Sequence, residues 1–320
     1  MTRFNVVMTA PRLAPPAVEV LEAAGCAIHY MPPYPTAAAV AERAGAVRAD
    51  AILSRQGPVD AAGMAASARL RIVARHGVGV DDVDLAAAAA RGILVTRAPG
   101  SNTMAVAEHA MALILALTKN LPGLSAHVAA GHWREGAPAV RDLAGARLGL
   151  IGFGAIGQAM ARLGAAFGMT AFAFDPAAPA SAFAAVTRCD TLATLLPQAD
   201  ILSLHCPLNP ATHHLIDAAA LAALPAGALV INTARGGIVD EAALHAALES
   251  GHIAGAGLDV TEAEPPAADN PLRRHPRAIL TPHLAGVTPG ALIRMGVMAA
   301  ECIATVLTGG IVPADRIVHP

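Results

Sequence analysis

An α/β architecture with two doubly wound parallel sheets is what this sequence predicts, and three observations predict it. Short apolar or β-branched runs alternate with alanine-rich stretches of helical length, the pattern of repeated βαβ units. One long helical stretch, Asn102–Lys119, separates an earlier group of runs from a later one, which divides the chain into two domains with a cleft between them. The later group opens on an apolar run followed at once by a glycine-rich turn and a helical pattern, RLGLIGFGAIGQAMARL.

Taken in order, the expected strands of the first group are Asn5–Met8, Ala51–Leu53, Arg71–Ala74 and Ile93–Val95. Those of the second are Arg147–Ile151, Thr170–Phe174, Ile201–Leu204, Leu229–Asn232, Ala256–Asp259 and Ala278–Thr281. Helices are expected over Ala14–Ala24, Ile156–Phe167 and Glu241–Glu249, with a second long one over Pro289–Leu307. The stretch Asn120–Ala146 is polar and glycine-containing and breaks the alternation. Alanine blurs the boundaries, since it is a strong helix former that strands also tolerate.

Composition narrows the function. A chain of 320 residues with 55% hydrophobic and 14% charged residues builds well-buried cores and excludes disorder. A net charge of −2 without a basic block gives no purchase for nucleic acid or an anionic membrane surface. The best apolar run, starting at Met104, carries Glu108 and His109 and falls short of the roughly 18 residues a membrane span needs, so none is expected. The N-terminus has no long apolar segment of a secretion signal and reads as a first strand. Cys26, Cys189, Cys206 and Cys302 are scattered, which suits a reducing cytoplasm and points to neither disulfides nor a metal site. A single lysine, Lys119, outside any GK[ST] sequence, argues against a Walker-type loop or a Schiff base.

The glycine-rich turn carries the first chemistry. Gly152, Gly154 and Gly157 have GxGxxG spacing. The first glycine permits the tight turn, the second a close backbone approach to a pyrophosphate, and the third close packing of helix on strand. The helix N-terminus behind them presents N–H groups to the phosphates. Alone this motif is weak, but the next strand ends at Asp175, 23 residues beyond Gly152, where a carboxylate accepts hydrogen bonds from ribose hydroxyls. The same charge repels a 2′-phosphate, and Pro176 follows where an arginine would welcome one, so NAD is expected over NADP.

Three more motifs each follow an apolar strand: NTARGG with Arg235, LDVTEAEP with Glu264 and TPHLAG with His283. The carboxyl ends of parallel strands line the ligand crevice, so the three are able to converge. Reduction of a 2-oxo acid needs a carboxylate anchor, a proton for the carbonyl oxygen and a polarising charge. Arginine, histidine and an orienting carboxylate meet those needs. Taken singly, each residue has an ordinary reading as well: a salt-bridged arginine, a solvated glutamate, one histidine of 13.

The sequence resembles the D-isomer-specific 2-hydroxyacid dehydrogenases along essentially its whole length. RHGVGVDDVD from Arg75, NTMAVAEHAMALIL from Asn102, GFGAIG from Gly152 and HCPLNPATHHLI from His205 carry the likeness. So do INTARGGIVDEAAL from Ile231, GAGLDVTEAEP from Gly255 and TPHLAG from Thr281. The resemblance implies a Rossmann-type NAD domain, residues 100–286, inserted into a flavodoxin-like substrate domain, residues 1–99 and 287–320. It implies Arg235, Glu264 and His283 as catalytic residues. It implies cofactor contacts at Gly152, Gly154, Ala155, Ile156, Gly157, Asp175, Pro207, Thr233, Ala234, Asp259 and Gly286, with Asp259 near the nicotinamide amide. The backbone at Val78 and Gly79 would bind the substrate carboxylate, with Asn102 also at the substrate site.

Substrate identity is left open between 3-phosphoglycerate, hydroxypyruvate, glyoxylate and other short acids. Arg55, Arg75 and Arg134 are candidates for a second anion site, or else partners of surface carboxylates. No C-terminal regulatory domain is expected after Pro320. The resemblance implies that the segment Asn120–Ala146 makes a two-fold contact in a homodimer, with Trp133, the only tryptophan, either an anchor of that contact or an ordinary core residue. The competing readings are a non-enzymatic NAD-sensing partner protein on the same fold and a formate- or phosphonate-type dehydrogenase.

Overall fold

The structure, a computed structural model, describes residues 4–319. The chain divides into two compact units, one running to Asn102 and resuming at Val287, the other spanning Thr103–Gly286. Gly100–Asn102 thus belong with the first unit, past the expected boundary at residue 99. Arg294 Nε holds them there by donating to the Ser101 carbonyl at 2.7 Å.

The first unit is built on strands β1 (Phe4–Met8), β2 (Cys26–Tyr30), β3 (Ala51–Ser54), β4 (Ile72–Arg75) and β5 (Leu94–Thr96), all parallel in the order β2-β1-β3-β4-β5. Alternation along each strand feeds two cores. Val6, Met8, Leu53, Ile72 and Ala74 face helices Pro15–Ala23 and Pro289–Thr308, while Val7, Ile52 and Val73 face Val40, Ala44 and Met64 on the other side. Strand β2 escapes the sequence reading because CAIHY places a histidine and a tyrosine in an edge strand, and only its first residue is fully buried.

Helix Pro289–Thr308 is apolar and long enough to cross a membrane by length and composition. The stretch starting at Met104 meets that criterion only when joined to a second helix across a 53° bend. In the structure Met295, Ala299, Ala300, Cys302, Ile303 and Leu307 of the terminal helix are buried in the core of the first unit, which explains its apolar composition.

The second unit carries β6 (Arg147–Ile151), β7 (Thr170–Phe174), β8 (Thr187–Arg188), β9 (Ile201–Leu204), β10 (Ala228–Asn232), β11 (Ile253–Leu258) and β12 (Ala278–Leu280). All pair in parallel in the order β12-β11-β10-β9-β6-β7-β8. This is a doubly wound Rossmann sheet extended by one strand, and its order reverses between β6 and β9, the place where such sheets open a ligand crevice. Helices Thr103–Thr118 and Ala155–Ala166 cover one face through Ala107, Ile114, Ala159 and Met160. Strand β8, two exposed residues long, carries no periodic signal.

The stretch expected to be irregular after Lys119 contains a helix, Leu121–Ala129. Pro122 and Gly123 mask it in the sequence, yet proline is tolerated in a first helical turn, where its missing N–H has no intrahelical partner. None of its residues is buried.

Candidate active site

Three neighbouring strands deliver the three candidate side chains. Arg235 follows β10, Glu264 follows β11 and His283 follows β12, so residues far apart in sequence emerge at one edge of the sheet. His283 Nδ1 and Glu264 Oε2 are 2.7 Å apart. Burial alone would raise the Glu264 carboxyl, but the hydrogen bond and charge of His283, the Thr261 amide and the Arg235 charge together hold it below the ordinary range. Arg235 Nη1 donates to the Ala234 carbonyl at 2.6 Å. Its loop packs directly on the loop of Glu264, because a Cβ at Gly236 would overlap the Thr261 carbonyl. Only glycine lets the two loops approach so closely.

The sequence did not reveal the supporting roles of Asn232 and Asp259. Asn232, at the end of β10, accepts from the Ala234 amide at 3.0 Å and donates to the Arg235 carbonyl at 2.8 Å, which folds the arginine turn back on the strand. Asp259, only 1% exposed, takes the Thr281 hydroxyl and the Leu284 and Ala285 amides on its carboxylate. Those bonds commit Asp259 to the loop that carries His283. His283 itself adopts a left-handed backbone, φ 54°, a conformation costing a non-glycine residue on the order of 1–3 kcal/mol. Short-range patterns do not report the Asp259 contacts, since its partners lie 22 to 26 positions away on another loop.

At the head of β6 the glycine turn has the expected form. Gly152 has φ 87°, and a Cβ there would lie 2.6 Å from backbone atoms of His205 and Cys206. A Cβ at Gly157 would overlap the Gly152 carbonyl, whereas one at Gly154 would meet nothing within 4 Å. Asp175 Oδ2 accepts from the Phe153 amide at 2.7 Å and Oδ1 from Ala177 and Ala178, so this carboxylate also braces the turn.

In the first unit the arginines separate. Arg75 donates to the carbonyls of Gly79 and Arg55 and pairs with Asp82 at 3.1 Å, so it braces the Val78–Gly79 loop. Arg55 has a half-buried guanidinium held below its ordinary pKa by desolvation, and no carboxylate pairs with it among the described residues. The amides of Val78 and Gly79 donate to no group among the described residues. The Asn102 side-chain oxygen is buried without a hydrogen-bond partner among the described residues. Arg134 stands in the fully exposed run around Trp133.

Residues 111–285 match the family described as "D-isomer specific 2-hydroxyacid dehydrogenase, NAD binding domain". The chain belongs to the D-isomer specific 2-hydroxyacid dehydrogenase family. Among its members, a D-3-phosphoglycerate dehydrogenase of Mycobacterium bovis is 43% identical over 83% of this chain and 50% of its own length. An (S)-sulfolactate dehydrogenase of Chromohalobacter salexigens is 47% identical over 68% of this chain and 72% of its own. The crystal structure of the TT0316 protein from Thermus thermophilus superposes with a TM-score of 0.90 at 36% identity, covering 98% of this chain and all of that one. The chain spans about half the length of the phosphoglycerate dehydrogenases it matches.

The residues present fit the dinucleotide that gives this family domain its description. Helix Ala155–Ala166 starts at Gly154 without a side-chain cap, whereas Thr36, Asp60, Asp84, Asp217, Asp240 and Thr288 cap other helices of the dehydrogenase-family chain. Its first-turn N–H groups have no intrahelical acceptor and suit a pyrophosphate. His205 Nδ1 and the Thr233 hydroxyl are buried without a hydrogen-bond partner among the described residues. Ala155 and Ile156 open helix Ala155–Ala166 after β6, Thr233, Ala234 and the exposed Pro207 lie on loops following β10 and β9, and Gly286 closes the second unit. Among the described residues no group of three or more His, Cys, Asp or Glu is arranged to hold a metal ion.

Proposed function

We propose that this chain is an NAD-dependent oxidoreductase interconverting a small D-2-hydroxy acid and its 2-oxo acid. The observation that carries this reading is the His283–Glu264 pair at 2.7 Å, on loops that also present Arg235. When bound, the dinucleotide supplies or accepts the hydride. Arg235 holds the acid and polarises its 2-oxygen through its planar fork of donors. His283 donates or accepts the proton at that oxygen through Nε2, since Nδ1 is engaged by Glu264. Glu264, kept ionised by its neighbours, fixes the orientation of the ring through Nδ1. The free amides of Val78 and Gly79 serve the substrate carboxylate.

The substrate class we favour is a three-carbon 2-hydroxy acid with a second anionic group on carbon 3. Phosphoglycerate and sulfolactate, the compounds in the names of two relatives, share that feature. Arg55 is the group we assign to it, as a half-buried cation without a carboxylate partner among the described residues. NAD is favoured over NADP by the Asp175 charge at the end of β7 and by Pro176 beside it. A homodimer is supported by Leu121, Val128, Trp133 and Val140, which expose apolar surface on one projecting segment, Trp133 at 74%. Four free cysteines, three of them buried, support a cytoplasmic location.

The test is NADH oxidation with a panel of 2-oxo acids that includes phosphohydroxypyruvate, sulfopyruvate, hydroxypyruvate and glyoxylate, run beside His283→Ala. Turnover lost in the variant supports the reading. NADH binding without turnover on any acid overturns it and favours a cofactor sensor. Light scattering at micromolar concentration tests the dimer, and a monomeric mass refutes it.

A further inference from the structure

The geometry points to His109 as a positioning residue for His283, a role that rests on the dehydrogenase reading above. His109 sits on helix Thr103–Thr118, more than 170 positions before the loop it supports. In the sequence it stands out only as a polar interruption of an apolar run. Its Nε2 lies 2.9 Å from the Thr281 hydroxyl and 3.6 Å from Asp259 Oδ1.

The proton count settles the direction of these bonds. The Thr281 hydroxyl has one hydrogen, and it donates that hydrogen to Asp259 Oδ1 at 2.6 Å. Toward His109 the same oxygen therefore accepts, and His109 Nε2 carries a proton. Asp259 Oδ1 also takes the Leu284 amide at 3.0 Å and Oδ2 the Ala285 amide at 2.7 Å. The His283 amide donates to the main-chain carbonyls of Asp259 and Thr281 at 2.8 and 3.0 Å. Every residue from Thr281 to Ala285 except Pro282 is thus tied directly to Asp259.

The His283 backbone needs such support, because its left-handed φ of 54° is unfavourable for a residue that carries a Cβ. Asp259 is nearly fully buried, and His109 is the side-chain nitrogen that approaches its carboxylate among the described ion pairs. The His109 donor orients the Thr281 hydroxyl, the hydroxyl orients the carboxylate, and the carboxylate sets the turn that aims His283. His109 touches neither Glu264 nor His283 in this network and acts through Thr281 and Asp259.

The experiment compares His109→Leu, which keeps bulk but lacks the donor, with His109→Gln, which retains an N–H donor on a flexible stem. Two readouts are taken: steady-state kinetics, and amide hydrogen exchange of the cofactor-free protein over residues 281–286. In His109→Leu we expect kcat to fall roughly tenfold or more, as for a displaced catalytic group, with KM and NADH affinity within about twofold. The amides of Leu284 and Ala285 should exchange faster, and His109→Gln should restore most of both effects. Unchanged protection over 281–286 in the leucine variant overturns the inference whatever the activity. An equal failure of the glutamine variant also overturns it, since packing rather than the donor would then matter. If His109→Leu does not fold, Thr281→Val removes the same link and must reproduce the exchange pattern. A wild-type protein that turns over no acid sinks the dehydrogenase reading alone, because the exchange result is read without substrate or cofactor.

Discussion

His283 Nδ1 and Glu264 Oε2 meet at 2.7 Å across two adjacent strand ends, although 19 positions separate them in the chain. The pairing leaves one ring nitrogen of His283 for substrate chemistry and fixes the orientation of the other. His283→Ala is therefore expected to lower kcat by about 10²- to 10⁴-fold, the range of a lost general acid–base group. NADH affinity, measured by fluorescence titration, should stay within about twofold. Parallel losses in both quantities would reject the proton-transfer role.

The ionised Glu264 also links the pair to pH. Its carboxyl is held below the ordinary value of 4.5, so the folded chain binds fewer protons there than the unfolded chain. The stabilisation is complete above the ordinary carboxyl range and is lost as the pH falls through the depressed value. Glu264→Gln should lower the urea midpoint more at neutral pH than in acid well below that range. Equal effects at both would show that the charge contributes nothing.

His205 gives the opposite residue type and the same direction of loss. Burial pushes its imidazole from 6.5 down to about 3, so the folded state keeps it neutral while the unfolded state takes up a proton. Stability is expected to be complete above pH 6.5 and to decline as the pH falls toward the folded value. His205→Gln should flatten that decline in urea titrations. A variant as acid-sensitive as the wild type would assign the loss to other groups.

Two glycine substitutions separate packing from ligand approach. Gly236→Ala forces a methyl into the Thr261 carbonyl and should cost about 1–3 kcal/mol, with kcat falling as the Arg235 and Glu264 loops part. At Gly154 a methyl meets nothing within 4 Å. Gly154→Ala should therefore keep stability within about 0.5 kcal/mol while weakening NADH binding, because the space serves the incoming phosphates. Thermal melts and NADH titrations of both variants check this contrast.

Arg55→Gln tests the substrate class. Removing a cation that meets a second anionic group should raise KM for phosphohydroxypyruvate or sulfopyruvate by about 10- to 100-fold, the loss of one charge-assisted contact. Glyoxylate, which has no such group, should be reduced as before. A uniform change across all acids would return Arg55 to a structural role.

The sequence by itself determined the α/β class, the parallel strands other than β2 and β8, the glycine turn at Gly152 and the motifs bearing Arg235, Glu264 and His283. These features are local: short apolar runs, helical length and turn chemistry operate over a few neighbouring residues. It did not disclose β2, whose CAIHY is too polar for a core strand, or the helix Leu121–Ala129 behind its proline and glycine. Nor did it distinguish Arg55 from Arg75, since their fates depend on which carbonyls and carboxylates the fold brings near. Only the tertiary structure decided that Asp259 supports the His283 loop and that His109 reaches it from a distant helix. Those contacts arise where strand ends and a crossing helix meet, and their distance in space bears no fixed relation to their spacing along the chain.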